Sequence, residues 1–377
     1  MTGTVDRRKF LAAAGLTAVG AAAAGVGGEL LFGQDFGRNT AAPAPGMTAP
    51  ASRASAVPAL KTHPLTINPL RQLPADETLD TVAGISPFFT PNSKFYRVDT
   101  SLRLPKVSPA DWQLRIHGMV DRPITLTYDD LVKKPMIDRD ITLTCVSEAV
   151  GGNFIGNAQW QGTLLAPILR KARIQRGADQ IVMRDVHGMT IGVATDPTLD
   201  GRDSMLAVAM NGQVLPQSHG YPVRVVIPGL YGYVSATKWV VDMEFTTFDA
   251  FSAYWVKQKP AWSQQAPIKT ESRIDVPKRR STVAAGQVTV AGVAWAQRTG
   301  IEAVEVGIDG VFHEARLPAQ DTIDTWRQWY YTWDATPGQH TLQVRATNKS
   351  GYTQTSLKHR TDPDGATGYH AILVNVT

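Results

Sequence analysis

The chain has 377 residues, with 38 Lys+Arg against 33 Asp+Glu for a formal net charge of +5. Hydrophobic residues make up 43% and charged residues 19%, which suits a chain with a sizeable core, at roughly 150 residues per domain about two domains, and excludes wholesale disorder. So small a basic excess, without dense Lys/Arg blocks, gives no case for nucleic acid. The single cysteine, Cys145, excludes an intramolecular disulfide framework and a multi-cysteine zinc or iron–sulfur site.

The chain opens with Asp6-Arg7-Arg8-Lys9-Phe10-Leu11 and a weakly apolar, Gly-rich run to about residue 32. A basic start before such a run is the layout of an export signal, and the Arg7-Arg8 pair points to the twin-arginine route. Residues 1–36 therefore read as the signal, with an uncleaved membrane anchor as the second reading. Residues 37–79, rich in Ala and Pro, read as a linker. Export by a route that carries folded proteins places the mature chain in the periplasm or another extracytoplasmic space and raises the expectation of a redox cofactor.

Alternation of apolar and polar residues predicts strands at Trp112–His117, Ile124–Thr127, Ile141–Cys145, Gln180–Asp185 and Tyr221–Pro228. Asp129 and Asp130 mark a short helical turn, and Leu164, Leu165, Ile168, Leu169 and Ala172 recur at helical spacing. Strands and helices do not alternate strictly, so residues 80–266 read as a mixed α+β domain. Beyond Pro267 only alternating strands and turns such as Asp309-Gly310 and Pro337-Gly338 follow, which predicts a β-sandwich over 267–377. Trp326, Trp329, Tyr330 and Tyr331 read mostly as its core, with a docking or dimer surface as the other reading.

No phosphate loop, dinucleotide fingerprint, nucleophile elbow or H-E-x-x-H motif is present. Two segments carry chemistry instead. Thr142-Leu-Thr-Cys145 ends a strand at the lone thiol, followed by a loop holding Gly151, Gly152 and Gly156. A soft thiolate there suits a sulfur-tolerant metal, although a lone cysteine on an apolar strand face is by default a small buried hydrophobe. In the second, His219-Gly-Tyr-Pro-Val-Arg224 leads through a glycine-punctuated loop to Ser235, Thr237 and Lys238. Two cations, hydroxyls and backbone amides make an anion cradle suited to phosphate; an ordinary strand–loop–strand with solvated charges is the bland alternative.

Together with Gly156-Asn-Ala-Gln-Trp-Gln-Gly162, Met210-Asn-Gly212, Leu215-Pro216 and Lys238-Trp239, these segments resemble the sulfite oxidase family of molybdopterin enzymes over about residues 80–377. The resemblance implies a molybdopterin-binding catalytic domain and an immunoglobulin-like dimerisation domain. It implies molybdenum and one molybdopterin per chain, with Cys145 as the catalytic thiolate on the metal. His219, Arg224, Ser235, Thr237 and Lys238 would hold the cofactor, joined by Asn92, Tyr96, Arg97 and Asp185. The implied reaction is two-electron oxygen-atom transfer.

Where the family places arginines around the substrate, this chain aligns Pro91 and Gln159, and where it places a tyrosine, Val208. The resemblance thus puts Gln159 at the catalytic site and implies a neutral or less charged substrate such as a sulfoxide, because an anion needs nearby cations to offset its desolvation. No C-x-x-C-H haem signature is present, so electrons would pass to a partner, a cytochrome or a quinone-linked membrane protein. The resemblance of the tail to the family's dimerisation domain implies a homodimer. The other reading is a binding or scaffold protein that keeps the fold without turnover.

Overall fold

The computed structural model describes residues 65–377 apart from residues 102, 259 and 260. Residues 1–36, read as an export signal, and the first part of the segment read as linker lie outside the described residues. Ten strands build the first part: β1 (Gln113–Gly118), β2 (Ile124–Thr127), β3 (Ile137–Thr144), β4 (Ile155–Leu164), β5 (Gln180–Asp185), β6 (Thr190–Ala194), β7 (Met205–Met210), β8 (Gln213–Val214), β9 (Arg224–Val226) and β10 (Val240–Thr246). They form two sheets, ordered β2-β1-β10-β5-β6 and β3-β4-β7-β8, with β9 paired to β7.

Period-2 patterning does what it predicts in β1, where Leu114 and Ile116 are buried and Gln113 and Arg115 exposed. The helices are short: α1 (Tyr128–Val132), α2 (Leu165–Lys171) and α3 (Gly232–Ser235). Thr127 caps α1 and forms a reciprocal capping box with Asp130. The periodic run beginning at Leu164 is α2, with Leu165, Ile168 and Leu169 turned into the core. The expected α+β mixture is therefore mostly strand, with helices reduced to connectors between mixed sheets.

The tail comprises β11 (Glu271–Val276), β12 (Thr282–Val283), β13 (Gly286–Trp295), β14 (Ile301–Ile308), β15 (Val311–Glu314), β16 (Arg327–Ala335), β17 (Gly338–Asn348) and β18 (His370–Val376). Its sheets run β11-β13-β16 and β12-β18-β17-β14-β15. Trp329, Val290, Val304, Leu342 and Val374 are fully buried in one shared core. Asp309 and Gly310 both take positive φ (49° and 91°) at the tight turn from β14 to β15, as a two-residue hairpin of this twist requires. Trp326 seals the joint with the first part. Its N–H donates to Thr142 Oγ1 at 2.7 Å and its indole to the Phe88 carbonyl at 2.9 Å. Trp326 and Trp329 are core, while Tyr330 and Tyr331 are half-buried.

Part of the segment read as linker is docked. Arg71 reaches Asp140 of β3 at 2.5 Å and also pairs with Asp321 of the tail. Burial and the charge of Asp321 outweigh Arg71 and push the Asp140 carboxyl up to about 7. A carboxyl held above its unfolded value contributes stability at low pH and loses it as pH rises through its folded pKa, about 7 for Asp140. Removing Arg71 leaves two facing carboxylates uncompensated, so Arg71→Leu is expected to cost about 1–2 kcal/mol near pH 8, allowing for the guanidinium's partial exposure. The cost should be smaller at pH 5; equal melting-point losses at the two pH values would contradict this reading.

Candidate active site

Cys145 follows directly on β3, and its N–H donates to the Phe154 carbonyl at 2.9 Å, extending the β3–β4 ladder by one rung. The side chain is 7% exposed, and Sγ lies 2.9 Å from Ser147 Oγ. Burial pushes the free thiol up, and Ser147 opposes that shift. A cysteine so placed is a neutral thiol until a metal displaces its proton.

Tyr96 ties this thiol to the basic segment. Burial, then the neighbouring Cys145, raise its phenol well above the usual range, while Arg224 pulls it down. The Tyr96 ring stacks on Phe95 at 5.3 Å, and Phe95 packs edge-on against both Trp160 and His219.

Arg224 is a buried cation without a carboxylate. It is 4% exposed, its Nη1 donates to the His219 carbonyl at 3.1 Å, and it lies over the Trp160 ring at 4.8 Å. Burial pulls it down to about 10. Carbonyls of His219, Val225 and Ala236 and the Trp160 face hold the guanidinium without neutralising it, so its chemistry fits an anionic group. Lys238, pulled by burial to about 8, is held by Asp99 at 2.6 Å, which also accepts from Arg97 at 2.7 Å. Burial and then Arg224 lower His219 to about 4, so its imidazole is neutral. Its Nε2 lies 3.0 Å from the Asn92 carbonyl. A carbonyl only accepts, so Nε2 carries the proton and Nδ1 is the acceptor.

The remaining expected residues are placed differently. Ser235 turns its hydroxyl to the carbonyls of Leu230 and Tyr231 at 2.9 and 3.0 Å, and Thr237 turns to the Met183 sulfur at 3.7 Å; these hydroxyls are spent within the fold. The Asn92 amide is engaged by Met210, Gln213 and Asn211, so its carbonyl on His219 is what faces the cluster. Asp185 accepts from the amides of His187 and Met189 at 2.8 and 2.9 Å and shapes the β5–β6 turn.

Gln159 departs most from expectation. It alternates with Trp160 along β4 and so points from the opposite face, where it accepts from Arg71 N–H at 2.8 Å. Its side chain is thus beneath residues 69–71 and away from the Trp160–Arg224 cluster. Asp99, Phe95 and Ser147 were not singled out from sequence. The spacing Arg97-x-Asp99, which puts both side chains on one side of an extended segment, is the one signal that could have found Asp99.

A cavity of about 1090 Å³ opens at the joint between the two parts. One wall is residues 149–153, the loop after Cys145, and the tail supplies Arg273, Lys278, Arg279, Lys358 and Arg360 against Asp275. Arg273 grips the loop by donating to the Gly152 carbonyl at 2.6 Å. Gly151, at φ +78°, is required here, because any Cβ would lie 2.2 Å from the His370 ring.

Among the described residues no cluster of three or more His, Cys, Asp and Glu could hold a metal by itself. A single protein thiolate completing a metal that arrives with its own sulfur ligands fits this donor set, and Arg224, which no carboxylate among the described residues pairs with, fits a phosphate. Residues 101–255 match a family model described as the oxidoreductase molybdopterin binding domain. The chain is similar to the mitochondrial sulfite oxidase of Macaca fascicularis, 27% identical over 309 residues that cover 68% of this chain and 55% of the relative. An uncharacterized oxidoreductase of Bacillus subtilis, YuiH, is 33% identical over 135 residues, 36% of this chain and 65% of that protein. The chain thus spans between about half and two thirds of these curated relatives' length. The solved structure of the sulfane dehydrogenase SoxCD from Paracoccus pantotrophus matches with a TM-score of 0.66 at 20% identity, covering 91% of this chain and 96% of that one, which speaks for the fold. The thiol at the end of β3, the buried cation beside it and these likenesses converge on residues 101–255 as an oxidoreductase molybdopterin binding domain, in a chain similar to sulfite oxidases.

Proposed function

We propose that the chain is an exported oxidoreductase that transfers an oxygen atom to or from a small substrate in a two-electron reaction. The observation that carries this reading is Arg224, buried without a counter-anion in the cluster that Tyr96 shares with Cys145. Bound there, the molybdenum of a molybdopterin would supply the redox chemistry. Cys145 would be its protein thiolate, with the Ser147 hydroxyl donating to the sulfur. Arg224 and Lys238 would offset the cofactor's phosphate, and a bound anion favours the charged form of both. Neutral His219 would accept through Nδ1, oriented by the Asn92 carbonyl, and Tyr96 and Arg97 would border the same pocket. Residues 267–377 would be an immunoglobulin-like dimerisation domain, and a cytochrome or quinone-linked membrane protein would exchange electrons.

The substrate we propose is anionic, against the expectation drawn from Pro91, Gln159 and Val208. What supports this is the cavity beside the loop after Cys145, where the tail places Lys278, Arg279 and Lys358 together with Arg273 and Arg360, the last two paired with Asp275 and Asp362. Steady-state assays of the metal-loaded protein with an artificial electron acceptor or donor should compare sulfite with neutral sulfoxides and N-oxides. The anion should be turned over, and Arg279→Glu should raise its KM several-fold with kcat unchanged. Turnover of sulfoxides alone, indifferent to Arg279, would return the substrate to the neutral class. Molybdenum-loaded protein inert in every assay would favour the scaffold reading.

A further inference from the structure

Two glutamines of β4 hold an extended segment of the chain by the same device, used twice. Gln161 accepts from Asn68 N–H at 3.0 Å and donates to the Thr66 carbonyl at 2.8 Å. Gln159 accepts from Arg71 N–H at 2.8 Å and donates to the Pro69 carbonyl at 3.4 Å. Each side-chain amide stands in for a peptide group of a neighbouring strand. Both glutamines are about 5% exposed, so losing the segment would strand two buried amides. Asn68 adds a bond to Asp138 at 2.5 Å, and Arg71 bridges Asp140 and Asp321.

The same segment bears on the cofactor cradle through an unbroken path. Leu70 lies against Gly212, where an added Cβ would come within 2.4 Å of the Leu70 nitrogen. Next to Gly212, Asn211 at φ +52° donates to Asn92 Oδ1 at 2.9 Å and to the Thr90 carbonyl at 2.8 Å. Asn92 in turn presents its carbonyl to His219, whose own carbonyl takes Arg224. The ground beneath His219 and Arg224 is thus fixed from outside by residues 66–71.

We propose that residues 66–71 form a retaining strap for the cofactor, with Gln159 and Gln161 as positioning residues that act through Asn211, Asn92 and His219. This rests on the cofactor reading above. The test is the rate at which holoprotein releases pterin, followed by the pterin's fluorescence below the unfolding transition. Gln159→Leu/Gln161→Leu removes the strap's bonds and spares the Asn211 contacts, which use the Gln159 backbone. Release should quicken at least about five-fold, the low end of site-to-site coupling. Val374→Ala, deep in the tail core, is the control: as thermally weakened as the double variant, it should release at the wild-type rate. Equal release by the two would reduce the strap to ordinary packing and overturn the proposal.

Coupling is reciprocal, which gives a second measurement that needs no variant. The Asn68 and Arg71 amides should exchange hydrogen more slowly in holoprotein than in protein stripped of cofactor. Identical exchange would overturn the strap while leaving the cofactor reading intact. A wild-type protein that takes up no pterin would overturn both.

Discussion

Cys145→Ser is expected to give a folded protein whose activity falls by more than about 100-fold, the scale at which mere ligand-supporting residues already matter. The side chain is nearly buried, on the strand face it shares with Leu143 and Ile141, and serine is close to isosteric. Its hydroxyl can keep the contact to Ser147 that Sγ makes at 2.9 Å. Melting temperature should therefore change little. What changes is ligand softness, since an alkoxide is a harder and far more basic donor than a thiolate. Circular dichroism melting beside turnover with an artificial acceptor separates the two effects. Activity within a few-fold of wild type would mean that the metal is held elsewhere.

The second large effect has opposite signs in two forms of the protein. In the cofactor-free form Arg224 is a buried charge with carbonyl partners and an aromatic face but no anion. Arg224→Met keeps the contact with Trp160 and removes that burden, so the apo variant is expected to melt at or above apo wild type. With cofactor the sign reverses. A charge-assisted hydrogen bond to phosphate is worth about 1.5–3 kcal/mol, so pterin affinity should fall about 10–100-fold. Thermal melts of both forms and pterin titration check the pair. A variant less stable as apoprotein yet equal in pterin binding would make Arg224 a structural residue.

The sequence located Cys145 and Arg224 better than it located their surroundings. Cys145 at a strand end, and Arg224 in an apolar run ahead of Lys238, are local patterns, and local patterns survive in one dimension. Gln159 failed for a geometric reason: one residue of alternation separates it from Trp160, and a one-residue slip turns a side chain to the other face. Its real partners, residues 66–71, were read as linker because they continue a Pro- and Ala-rich run and show no periodicity of their own, although docked backbone needs none when glutamine side chains satisfy it. Lys238 and Asp99 are 139 residues apart, and their pairing at 2.6 Å comes from tertiary structure alone. The cations around the cavity were invisible for the same reason, since they come from β11 and the loops near β18 while the loop they face follows Cys145. Both helical segments read from the sequence are present but short: α1 has five residues and α2 seven, so the domain is mostly strand. Residues 1–36, read as an export signal, lie outside the described residues.

The most direct measurement is elemental and pterin analysis of the purified, folded chain. Equimolar molybdenum and pterin, both falling together in Arg224→Met while molybdenum coordination alone changes in Cys145→Ser, is the expected result. A well-folded chain carrying neither would contradict the assignment of this buried thiol and buried cation to a molybdopterin site.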